Sequence, residues 1–151
     1  MQFRRILVAA DDSMYSMQAA MAAFALGRQL AAEMAVVCVV DKAKEVVNAD
    51  LGITPENSRT VLLEEADRVI TQCVDQYGGD MRVSRFTPEG TPEKELLRVA
   101  EEWKADLIVM GTHGRSGLGR MFAGSVAGYV IRNATIPVMV MPPGVAPITN
   151  A

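Results

Sequence analysis

The chain of 151 residues is poor in aromatic side chains, with four Phe, three Tyr and one Trp making up 5% of it. Its apolar mass is Ala, Val, Leu, Ile and ten Met, a composition that suits helices packed on a buried sheet. Cysteine is scarce as well. Cys38 and Cys73 form no Cys-x-x-Cys, and the single histidine, His113, cannot complete a zinc site with them. Both cysteines sit in apolar runs and read as buried, reduced thiols. An excess of basic charge is missing: 15 Lys and Arg stand against 18 Asp and Glu, for a net charge of −3. That removes the electrostatic footprint of a nucleic-acid partner. No apolar run approaches the roughly 20 residues that span a bilayer. Arg4-Arg5 precedes an apolar run, Ile6 to Ala10, but this ends at Asp11-Asp12, too early for a secretory signal. The expectation is a cytoplasmic protein with no membrane partner. With half its residues hydrophobic and 22% charged, the chain has globular rather than disordered composition, and its length is that of one domain.

What is present is a set of short apolar runs. Ile6–Ala10, Met34–Val40, Asp106–Met110 and Pro137–Met141 are continuous and rich in β-branched residues, as strands are when both faces of their sheet are covered. A fifth, Met81–Thr87, alternates apolar with polar and reads as an edge strand with one wet face. Helical patterns lie between them. Ser13 can cap a helix running to about Ala32. Thr54-Pro55-Glu56 and Thr91-Pro92-Glu93 are two helix starts, each with a cap residue, Pro at the first helical position and an acid near the positive end of the dipole. Leu62, Ala66, Val69, Cys73 and Tyr77 make one buried stripe, and Leu96, Ala100 and Trp103 another. A short last helix begins near Gly124-Ser125 and stops by Asn133. The order β-α-β-α-β-α-β-α-β predicts an α/β fold: a five-stranded parallel sheet with right-handed crossovers and helices on both faces, Rossmann-like in outline. Asp41 to Ile53 and Met110 to Ala123 read as loops.

In such sheets ligands bind beyond the carboxyl ends of the strands, where the strand order reverses. Asp11-Asp12-Ser13 follows the first strand and Asp41 the second. Gly111, Gly114, Gly117, Gly119 and Gly124 follow the fourth and lead into a helix start. Glycine lets a ligand approach bare backbone N–H groups, and a helix N-terminus adds unpaired donors and partial positive charge. Together these make a phosphate cradle, to which Arg115 and Arg120 can add charge-assisted contacts. The stretch has no Gly-Lys-Ser/Thr and is no P-loop. The first strand-to-helix turn has no glycine, so the dinucleotide fingerprint of NAD dehydrogenases is absent. His113 has no triad partner in view. Ser116 and Ser125 have no base nearby in sequence that would make either a nucleophile.

The segments Arg5-Ile-Leu-Val-Ala-Ala-Asp-Asp-Ser13 and Asp106-Leu-Ile-Val-Met-Gly-Thr-His-Gly-Arg-Ser-Gly-Leu-Gly119, running on to Gly124-Ser125, resemble the universal stress protein family, and the closing Pro137–Met141 also fits. Nucleotide-binding members carry Gly, two residues, Gly, nine residues, Gly, then Ser or Thr. Gly111, Gly114, Gly124 and Ser125 match that spacing. The resemblance implies strand order 3-2-1-4-5, ATP binding with Mg²⁺ or Mn²⁺ in company, and a homodimer. It implies that residues 1–143 form the nucleotide-binding domain and 144–151 a tail. Carried over by position, Asp11 would bind at the ribose and adenine end. Val39 would meet adenine through its backbone. Gly111, Gly114, Gly124 and Ser125 would hold phosphates, with Arg115 beside them. Where the family often has Asp-Gly-Ser, this chain has Asp11-Asp12-Ser13. Asp12 is expected to face solvent or to help cap the first helix.

The function so read is a regulatory, ATP-binding stress-response protein with slow or no hydrolysis, at most a weak ATPase, because the general base, positioned water and metal-binding acids of fast phosphoryl transfer are not evident. Two other readings stay open. One is a slow ATPase or nucleotidyl-transfer enzyme with Asp11 or Asp12 on a metal. The other is a dimeric scaffold that binds no nucleotide. In either case Pro137–Met141 carries no charge, and as an edge strand it calls for cover, most simply the same strand of a second copy.

Overall fold

A computed structural model describes residues 1–112 and 125–144. Strand β1 (Arg5–Ala9) lies at the centre of a parallel sheet, with β2 (Glu33–Val37) on one side and β6 (Leu107–Gly111) on the other. β4 (Val83–Phe86) flanks β2 and β7 (Val138–Met141) flanks β6. Counting only the strands of this sheet, the order is third, second, first, fourth, fifth, as expected. Two very short strands add a second parallel pair: β3 (Val40–Asp41) continues the line of β2 and β5 (Glu89–Gly90) that of β4.

The uninterrupted apolar runs follow from the two covered faces. Ile6 and Val8 of β1, Met34 and Val36 of β2, and Leu107 and Val109 of β6 face one side. There they meet Ala19, Ala20, Ala23 and Phe24 of α1 (Met14–Leu30) and Ala66, Val69, Ile70 and Cys73 of α2 (Pro55–Cys73). Leu7, Ala35, Val37, Ile108 and Met110 face the other side, against Leu96, Val99 and Ala100 of α3 (Pro92–Trp103) and Ala127 and Val130 of α4 (Ser125–Asn133). The alanines of α1 bring that helix close to the sheet. At Gly27 a Cβ would come within 2.4 Å of the Met34 Sδ, so the approach depends on glycine there.

The expected helix starts occur, with one difference. The Thr54 hydroxyl accepts the Asn57 N–H, whereas Thr91 opens α3 without a side-chain cap bond. α1 stops at Leu30, where Ala31 turns into the left-handed region at φ 51°. α2 unwinds into a π-helical turn over Val74–Gly78, and Gly79, at φ 52°, breaks it. The stretch from Asp41 to Ile53 has local order: 3₁₀ turns at Lys42–Lys44 and Ala49–Leu51, and a bridge between Asn48 and Ile53. β4 is the expected edge strand, but the consecutive Ser84 and Arg85 are both exposed and point to opposite faces, so both faces are partly wet rather than one.

Candidate functional site

β1 is stepped back at its carboxyl end. Ala9 pairs with Val37 and Val8 with Val109, whereas β3 carries the neighbouring line on to Asp41 and β6 continues to Gly111. Over that step, where the strand order reverses, lies a cavity of about 310 Å³. Ala9 and Ala10 line it with small side chains. Pro92 and Leu96 of α3, Met110 of β6 and Val126 of α4 give it an apolar wall. Asp11, Ser16, Asp41, Lys44, Thr112 and Ser125 supply polar groups. A smaller cavity, about 60 Å³, adjoins it on the α2 side and shares Asp11, Cys38, Val39, Asp41 and Lys44 with it.

The geometry at Asp11 is fixed by a closed set of hydrogen bonds. Its Oδ1 accepts the Ser13 N–H at 2.8 Å, and the Ser13 Oγ accepts the Ser16 N–H at 3.2 Å, capping α1. The Ser16 hydroxyl donates to the Asp11 carbonyl at 2.7 Å and accepts the Asp11 N–H at 3.0 Å. Ser16 is the one buried polar side chain among the described residues. The capping box normally places Glu or Gln three residues after the cap, where it reaches back to the chain before the helix. Ser16 occupies that position and does the same work with a shorter arm. Ser-x-x-Ser at 13–16 was the available sequence signal, and it is a weak one.

Of the residues singled out from the sequence, Asp11, Val39, Gly111 and Ser125 line the larger cavity together. Gly114, Arg115 and Gly124, with His113, Ser116 and Arg120, lie outside the described residues. Asp12 is exposed and lines the smaller cavity with Glu65, while capping of α1 falls to Ser13. Ser125 is the first helical residue of α4 and is exposed. Gly111 has a structural reason of its own: a Cβ there would lie 3.1 Å from the backbone C and O of Tyr15, in the first turn of α1.

Lys44, Thr112 and Pro92 also border the cavity without a motif to announce them. Asp41 does so while its Oδ1 accepts the Ala43 N–H at 3.0 Å, fixing the turn that carries Lys44. Cys38 lines both cavities, but burial, helped by the charge of Asp11, pushes its thiol up to about 12. Burial likewise raises Cys73 to about 11, and its Sγ contacts the Met17 Sδ at 3.5 Å. Both sulfurs therefore stay protonated near neutral pH and are poor nucleophiles. Among the described residues no group of three or more His, Cys, Asp or Glu could hold a metal ion, and no helix is long and apolar enough to cross a membrane.

A parallel sheet in this order, with a cavity over the central strand, defines an α/β protein of the doubly wound class. Residues 2–142 match the model of the universal stress protein family, and the chain belongs to that family. Universal stress protein MJ0531 of Methanocaldococcus jannaschii is 34% identical over 146 residues, an alignment that spans 92% of this chain and 82% of the relative. The solved structure of MJ0577 superposes with a TM-score of 0.84 at 24% identity, covering 97% of this chain and all of that one. A universal stress protein of Archaeoglobus fulgidus, solved in complex with dAMP, superposes with a TM-score of 0.63 at 23% identity, covering 93% of this chain and 98% of that one.

Proposed function

We propose that this protein binds an adenine nucleotide, ATP in the first place, in the cavity over β1, and works as a homodimeric regulatory protein of the cytoplasm with slow or no hydrolysis. The observation that carries the proposal is the convergence of Asp11, Val39, Gly111 and Ser125, chosen from three separate stretches of sequence, on one 310 Å³ cavity at the switch point. The dAMP complex of the Archaeoglobus relative supports the ligand class. In this reading Asp11 holds ribose hydroxyls through the carboxylate oxygen that the Ser13 N–H does not use. Val39 offers its backbone to adenine against the apolar wall of Leu96, Met110 and Val126. The N-terminus of α4 and Ser125 take phosphate, with Gly114, Arg115 and Gly124 completing the cradle. A Mg²⁺ or Mn²⁺ ion would travel with the triphosphate and be held chiefly by phosphate oxygens. Binding is favoured over turnover because Asp11 and Asp41 each use a carboxylate oxygen to fix their own loops, and neither cysteine near the sheet is ionised.

Titration calorimetry tests the reading. ATP should bind the wild type, and Asp11→Ala should weaken it on the order of ten- to a hundredfold, the loss expected for a hydrogen bond to a charged group. No heat with ATP, and no adenine nucleotide retained through gentle purification, would defeat it. The dimer rests on β7, which has β6 on one side only and no charged residue. Light scattering at micromolar concentration should report twice the monomer mass, and a stable monomer would remove that part of the proposal.

A further inference from the structure

Among the described residues, the charge lining the cavity runs against a phosphorylated ligand. Among the described residues, Asp11 and Asp41 line the larger cavity, and Asp12 and Glu65 join them in the smaller one. The one Lys or Arg among the described residues lining either cavity is Lys44, and it lines both. It is placed there by structure rather than by chance of a long side chain. The β3–β5 pair extends the second strand to Asp41, and the Asp41 carboxylate then caps the Lys42–Lys44 turn. Lys42, on the same turn and also exposed, lines neither cavity. The Lys44 ammonium makes no ion pair among the described residues.

We infer that Lys44 is a specificity residue of this site: its charge offsets Asp11 and Asp41 and makes the cavity prefer phosphorylated nucleotides to the neutral nucleoside. This rests on the nucleotide-binding reading above. A cation beside a low-dielectric cavity acts on an anion through space as well as by contact, and its exposure to solvent tempers the effect. The gain therefore grows with ligand charge, from AMP to ADP to ATP, and is absent for adenosine.

The experiment compares wild type, Lys44→Met and Lys42→Met, each confirmed folded by circular dichroism, for binding of adenosine, AMP and ATP at low and high salt. Wild-type binding of ATP, measured first, decides the nucleotide reading by itself. Given that binding, Lys44→Met should lose about two- to fivefold in ATP affinity, less for AMP, and none for adenosine. High salt should shrink the difference, and Lys42→Met should stay close to wild type. Equal losses in the two variants would assign the effect to net charge and overturn the proposal. An adenosine loss as large as the ATP loss, or an unchanged ATP affinity in Lys44→Met, would overturn it too.

Discussion

Removing one hydroxyl, in Ser16→Ala, should loosen the turn that carries Asp11 while leaving α1 capped. The Ser13 Oγ still accepts the residue-16 backbone N–H, so the helix start survives. What disappears is the pair of bonds between the Ser16 Oγ and the Asp11 backbone, 2.7 Å to the carbonyl and 3.0 Å from the N–H, with a longer donation to the Ser13 carbonyl at 3.3 Å that shares the same proton. Each is a neutral bond with a net value of about 0.5–1.5 kcal/mol, and the groups left behind are only partly reachable by water. Ser16 is 4% exposed. The sum is roughly 2 kcal/mol of stability. For a domain of this size it lowers the melting temperature by about 4–8 °C. Scanning calorimetry and urea unfolding of the nucleotide-free protein measure both quantities. Amide exchange at Asp11 should quicken by more than at the centre of α1, because the change is local. A loss below about 0.5 kcal/mol, or exchange that quickens uniformly, would show that the Ser16–Asp11 bonds do not hold this loop.

Among the described residues, two other than glycine sit in the left-handed region at helix ends, Ala31 at φ 51° and Lys104 at φ 58°, and both are exposed. Ala31→Gly and Lys104→Gly should each stabilise the protein by about 0.5–1 kcal/mol, seen as a rise of roughly 1–4 °C; a fall in melting temperature for both would contradict the cap geometry. The thiols give a pH prediction. Their folded values, about 12 for Cys38 and about 11 for Cys73, lie above the ordinary 9.0, so below pH 9 they add no pH dependence. Above it the unfolded chain releases protons the folded chain keeps, and stability falls by up to about 1.4 kcal/mol per pH unit for each thiol until the folded value is reached. Urea unfolding from pH 8 to 11 should show a steeper decline in wild type than in the Cys38→Ala/Cys73→Ala double variant, and parallel curves would refute it. At pH 8 a thiol reagent should leave the folded protein unmodified and titrate two thiols in urea.

The sheet was legible because burial on both faces writes itself as continuous apolar sequence. Ile6-Leu7-Val8 alternates between the α1–α2 side and the α3–α4 side, and each residue finds a core. The helix starts were legible from Thr-Pro-Glu, although at Thr91 the proline and the acid mark the start and the hydroxyl bonds nothing. β3 and β5 were not legible, since two residues show no periodicity. β3 nevertheless carries the line of β2 on to Asp41, which lines the cavity. Lys44 was hidden for a related reason. A lysine on an exposed turn looks like any solvated charge until the Asp41 cap and the β3–β5 pair place the turn at the cavity rim.

Gly111 shows how a residue singled out for one role can carry a second, structural one. From the sequence it belongs to a phosphate cradle. In the structure it also lets the first turn of α1 approach β6, with the Tyr15 carbonyl 3.1 Å from where a Cβ would be. That turn lies next to Ser13 and Ser16, the two side chains that hold Asp11. A substitution at Gly111 would shift α1 and disturb Asp11 whether or not the glycine ever touches phosphate. Lost affinity in such a variant therefore says nothing about the cradle. Asp11→Asn is more discriminating, because an amide oxygen can still accept the Ser13 N–H while the charge facing the ribose is gone. Lys44→Met is cleaner again: its side chain bonds no other element among the described residues, so a change in affinity there reports on the ligand and not on the fold.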